Sequence, residues 1–100
     1  MSFKKLTLIL PYAEADAVAD TLMMLASVPG FTQYSAEGFS RAPLSLSVAE
    51  QVAGRKRWMA MDLILAADDL APVLEELQRV HGGMGLHYWV TPVEQSGRLN

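Results

Sequence analysis

The sequence predicts an α+β fold, in which a four-stranded antiparallel sheet carries two helices on one face in the order βαββαβ. Three observations support it. Two stretches place apolar residues three and four apart and stop at Pro29-Gly30 and Gly82-Gly83, as amphipathic helices do. Four shorter stretches, rich in apolar or aromatic residues and bounded by proline, glycine or small polar residues, have the length of strands. The chain has 100 residues, 51% of them hydrophobic, which suits a single domain over residues 1–100 and is too apolar for a disordered chain.

Strand one covers residues 4–10 and is closed by Pro11, which has no N–H to give a central ladder. The first helix covers residues 13–27. It sets Ala15, Val18, Ala19, Leu22, Leu25 and Ala26 on one side, with Glu14, Asp16 and Asp20 in the early turns, where the helix dipole favours anions. Residues 31–41 read as strand two, with Gly38 as a bend or bulge near its end. Residues 58–65 are strand three. Asp68 and Asp69 then offer an N-cap, Pro72 fits because it falls in a first turn, and Val73, Leu74, Leu77 and Val80 give the second helix its inner face. Strand four covers residues 86–93 and closes at Pro92.

Two right-handed βαβ crossovers interleave into a ferredoxin-like sandwich. A sheet with one wet face should alternate apolar and polar residues. Strand three does not: Met59, Met61, Leu63 and Leu65 fill one face, while Trp58, Ala60 and Ile64 fill the other around Asp62. Strand one repeats this, with Leu6, Leu8 and Leu10 against Thr7 and Ile9. In so small a domain only another subunit can cover the second face. Asp62 is then expected to be structurally paired, for instance with a cation across that interface.

Composition excludes several function classes. With no cysteine there are no disulfides, cysteine-zinc sites or thiolate nucleophiles. No apolar run approaches the ~20 residues of a membrane span, so the expectation is a cytoplasmic protein without direct membrane insertion. A net charge of −3 argues against a nucleic-acid partner. Neither Gly-x-Ser-x-Gly nor His-Glu-x-x-His is present, and the pairs Asp68/Asp69 and Glu75/Glu76 suit a helix start and an exposed helix face. The expectation is a protein that is not an enzyme.

Residues 40–57 are longer than a hairpin between strands two and three needs, and loops of this length usually carry function. Val48, Val52, Arg55, Lys56 and Arg57 are its candidate partner-binding residues, the last three holding three of the eight cations together. A solvated loop end is the alternative reading of that triplet.

Lys4-Lys5 opening strand one, Gly38-Phe39-Ser40-Arg41 ending strand two, the long loop, Ala66-Ala67-Asp68-Asp69, the glycine-rich turn and Pro92-Val93-Glu94 follow one another in an order that resembles the PII signal-transduction family. The shortened loop is most similar to the PII-like proteins associated with heavy-metal efflux systems. The resemblance implies a homotrimer with ATP or ADP between subunits and a target-contacting T-loop at residues 40–57. By position it implies nucleotide-binding roles for Gly38, Phe39, Arg41, Gly82, Gly83, Met84, Gly85, His87 and Arg98. His87 stands where the family has a lysine, and Asn100 where it has a second arginine. The loop also lacks the tyrosine that some members modify.

Read on its own, Gly82-Gly83-Met84-Gly85 is either a helix C-cap with a turn or a cradle of N–H groups for an anion. His81 and His87, with Met84 between them, are candidate ligands for a soft metal ion. The expected function is that of a non-enzymatic regulator. It binds an adenine nucleotide or a metal in the intersubunit cleft and signals through loop 40–57 to a membrane transporter or efflux component. The alternative is a CutA-type trimeric metal-tolerance protein.

Overall fold

The structure, a computed structural model, describes residues 2–39 and 56–100. Strand β1 (Phe3–Pro11) leads through a 3-10 turn at Tyr12–Glu14 into helix α1 (Ala15–Met23). Strands β2 (Thr32–Gly38) and β3 (Lys56–Ala66) follow, then a 3-10 turn at Ala67–Asp69, helix α2 (Leu70–His81) and strand β4 (His87–Val93). The four strands form one antiparallel sheet in the order β2-β3-β1-β4, the ferredoxin-like topology expected. Proline is tolerated where the sheet can spare an N–H: Pro11 closes β1, and Pro92 lies in β4, an edge strand.

Register assigns the faces. Leu6, Leu8 and Leu10 stand opposite Leu63, Met61 and Met59, and all six are buried with Leu65 under the helices. Ala15, Val18 and Leu22 from α1 and Val73 and Leu77 from α2 complete this core. The other face carries Thr7 beside Asp62 and Trp89, Ile9 beside Ala60 and His87, and Tyr34 beside Ala60. The doubly apolar strands predicted from the sequence are therefore present, and Tyr34 and Trp89 stand about half exposed on the helix-free face.

Four local expectations are corrected. Helix α1 ends at Met23 rather than residue 27, and two tight turns replace its last stretch, Leu25 N–H to the Leu22 carbonyl at 3.1 Å and Val28 N–H to the Leu25 carbonyl at 3.0 Å. Leu25 and Val28 still pack on the core, which is why the apolar spacing ran on past the helix. Neither Asp68 nor Asp69 caps α2 through its side chain, because the chain enters the helix through a 3-10 turn. Val80 faces outward at 38% exposure, and His81, at 4%, takes the inner position four residues after Leu77. Gly38 is neither bend nor bulge: it stays in register with Lys56 as the last residue of β2.

Candidate functional site

The antiparallel topology collects one end of the sheet. The C-terminal ends of β1 and β2 and the N-terminal ends of β3 and β4 meet there, with Pro11 opposite Trp58, Gly38 opposite Lys56 and His87 opposite Ile9. Gly38, Phe39, Arg57, the 82–86 turn and His87 thus share one end of the molecule. Arg98 lies in the exposed segment after β4, which leaves the sheet at the opposite end. Arg41, Val48, Val52 and Arg55 lie outside the described residues, and of Lys56 only the backbone pairing is described.

At this end the glycine turn is built by two left-handed residues. Gly83 has φ 88° and Gly85 φ 82°, where a Cβ would be strained. The turn begins as the helix closes, with the Gly82 N–H on the Gln78 carbonyl at 3.0 Å and the Met84 N–H on the His81 carbonyl at 3.2 Å. Gly82, Gly83 and Gly85 line a cleft of about 560 Å³ between α2 and β4. Leu8, Leu74, Leu77, Leu86 and Tyr88 supply its apolar wall, and Glu75, Gln78, Arg79 and His81 its polar groups. Arg79 is tied to Glu76 one turn back, its Nε donating at 3.2 Å, and this guanidinium holds the Glu76 carboxyl below the usual range. The turn therefore closes the helix, as the C-cap reading has it, and three of its glycines border the cleft.

The two histidines part company. The His81 ring is buried in the sandwich, with Nε2 2.7 Å from the Thr21 hydroxyl. That hydroxyl also reaches the Ala17 carbonyl at 3.3 Å, and the ring's Nδ1 is buried with no partner among the described residues. His87 lies on the opposite face of the sheet, because it pairs with Ile9 while its neighbour Tyr88 pairs with Leu8. One chain does not bring them together as metal ligands. Among the described residues no group of three His, Asp or Glu side chains could hold a metal ion.

His87 instead meets Trp58, edge to face, with ring centroids 5.9 Å apart. The same indole occupies the space over Gly38, where an added Cβ would fall 1.9 Å from its Nε1. Sequence reasoning placed Trp58 only as a strand residue. The signal that could have found it is a glycine at the end of one strand with a tryptophan near the start of the next. Arg57 lays its guanidinium over the Tyr12 ring at 4.2 Å; it and Lys56 belong to β3, paired with β2, rather than to the loop expected over residues 40–57. Asp62 is bonded by two hydroxyls of its own chain, Thr7 Oγ1 at 2.8 Å and Tyr34 Oη at 3.1 Å, which is the structural pairing expected of it.

A family model described as a protein of unknown function, DUF3240, matches residues 1–100. The chain belongs to the DUF3240 family. Among solved structures, a DUF3240 protein from Shewanella baltica OS155 is similar at 26% identity and TM-score 0.82, covering 100% of this chain and 99% of that one. CPII, a nitrogen regulatory PII-like protein from Thiomonas intermedia K12, is similar at 22% identity and TM-score 0.73, covering 100% and 98%. That structure holds ADP, AMP and bicarbonate. The CutA divalent cation tolerance protein from Archaeoglobus fulgidus is similar at 15% identity and TM-score 0.71, covering 96% and 88%. No curated protein matches the sequence at a significant level. These likenesses give the DUF3240 chain a PII-like and CutA-like fold along its whole length, in agreement with the resemblance read from its residues. Among its described residues no helix is long and apolar enough to cross a membrane.

Proposed function

We propose that this DUF3240 protein is a non-enzymatic regulator that binds an adenine nucleotide at the glycine-turn end of the sheet, within an assembly of three copies. Residues 40–57 then present the occupied or empty state to a partner, a membrane transporter. The observation that carries this reading is the gathering of the left-handed Gly83 and Gly85, their cleft, His87 and the base of the 40–57 segment at one end of the fold. Backbone N–H groups freed of side chains suit phosphate oxygens, and the apolar wall with Tyr88 suits a flat base. The nucleotides held by CPII, which has the same fold, support the choice of ligand.

For such a ligand to regulate anything, it must bind one state of the protein more tightly than the other. Calorimetric titration with ATP, ADP and AMP tests the reading. Saturable heat with at least one of them is the expected result, and no heat with any at millimolar ligand overturns it.

A further inference from the structure

Three features of the sheet end stand on one side chain. Trp58 begins the pairing of β3 with β1, opposite Pro11, and sits half-buried on the helix-free face. On one side its indole meets the His87 ring edge to face; on the other it lies where Gly38 would carry a Cβ. Alanine at position 38 would overlap the Nε1 and Cδ1 atoms, at 1.9 and 2.2 Å, so this backbone and this ring are fitted to each other. His87 is the first residue of β4, two places after Gly85, and its ring stands on the helix-free face, while its neighbour Tyr88 lines the cleft on the other. A single rigid ring on β3 therefore touches the last residue of β2 on one side and, past the end of β1, the first residue of β4 on the other. Edge-to-face aromatic contacts fix relative orientation as well as distance.

We propose that Trp58 is a positioning residue for the ligand site: it holds the His87 imidazole in place beside the glycine turn and joins that turn mechanically to the end of β2 at Gly38. The proposal rests on the nucleotide reading above and goes beyond it by naming the side chain through which the ligand acts. A ligand that engages His87 shifts the ring against Trp58, and a shift of the indole changes its fit over Gly38. The indole thus has to report ligand binding even though it need not touch the ligand.

The experiment uses the full chain with Trp89→Phe, which leaves Trp58 as its one tryptophan and keeps a ring on the assembly surface, at a concentration where it sediments at the mass of the unsubstituted protein. ADP is titrated while heat and tryptophan emission are followed together. The expected result is an emission change that saturates at the same ADP concentration as the heat. In Trp58→Ala the affinity for ADP should fall about tenfold with the melting transition still cooperative, and Trp58→Phe should recover most of it, because a smaller ring still meets His87. Heat without an emission change, or unchanged ADP affinity in Trp58→Ala, overturns the positioning role and leaves the nucleotide reading standing. Absence of heat in the unsubstituted protein overturns both.

Discussion

Tyr34 and Thr7 aim their hydroxyls at the two oxygens of Asp62, so the one acid among the apolar residues of β3 is bonded within its own chain. Ionising the Tyr34 phenol would lose a donor and set a second anion beside the carboxylate. The hydrogen bond to Asp62, then desolvation, then the Asp62 charge accordingly push its pKa above the ordinary value. The folded state favours the neutral phenol, so this contribution is intact below the unfolded pKa near 10 and is lost only as pH rises through the higher folded value. Asp62→Asn should bring the titration back down, and the ring-carbon chemical shift of Tyr34 reads it directly; an unmoved midpoint would mean the carboxylate does not control the phenol. A second residue-scale prediction concerns Thr21. Its hydroxyl is the partner the structure gives His81, whose Nδ1 already lacks one. Thr21→Val keeps the shape and strips the last hydrogen bond from a buried ring, which should cost about 1–3 kcal/mol in urea unfolding. A loss within error of zero would show that the ring finds water or a new partner.

At the scale of elements, the sequence was most legible where one face of an element had a single environment. Leu6, Leu8 and Leu10, and likewise Met59, Met61, Leu63 and Leu65, could be read as rows on one face because period-two spacing turns alternate residues to the same side, and the structure then sets the two rows opposite each other. Helix ends were less legible. Leu25 and Val28 keep apolar spacing through tight turns, since a turn that packs on the core looks the same as a helix that does. Val80 and His81 exchanged roles because valine is the apolar residue, while position 81 is the one in line with Val73 and Leu77. The candidate site was legible as glycines and a loop base, and illegible at Trp58, whose contacts with Gly38 and His87 arise only when the sheet assembles in the order β2-β3-β1-β4. The entry to α2 supplies a prediction on this scale. A side-chain N-cap is worth about 1 kcal/mol, but Asp69 makes no such bond. Asp69→Ala should therefore lower stability by only a few tenths of a kcal/mol, the size of a dipole contact at an exposed helix start. A thermal melt showing a full kilocalorie of loss would mean that the carboxylate caps the helix in solution.

For the whole molecule the decisive quantity is what the helix-free face still shows to water. Trp89 is 50% exposed and Tyr34 45%, on a face that also carries Ile9, Ala60 and Trp58. A buried tryptophan removes 150–250 Å² from water, so roughly 100 Å² of the Trp89 indole remains to be covered, about 2.5 kcal/mol per chain at 25 cal/mol per Å². Threefold assembly multiplies that term by the number of chains, so this side chain alone would change the assembly constant by about five powers of ten. An isolated exposed tryptophan would call for no explanation; one in register with Thr7 and Asp62, beside the row formed by Tyr34, Ala60, Ile9 and His87, belongs to a continuous surface. The unsubstituted protein should accordingly sediment at three times the mass of its 11.0 kDa chain at micromolar concentration. Trp89→Glu, which puts a charge on that surface and touches none of the helix-side core, should sediment as a folded single chain. If the unsubstituted protein is itself a well-folded single chain, the face is a finished surface, and a ligand site completed between copies has nothing to stand on.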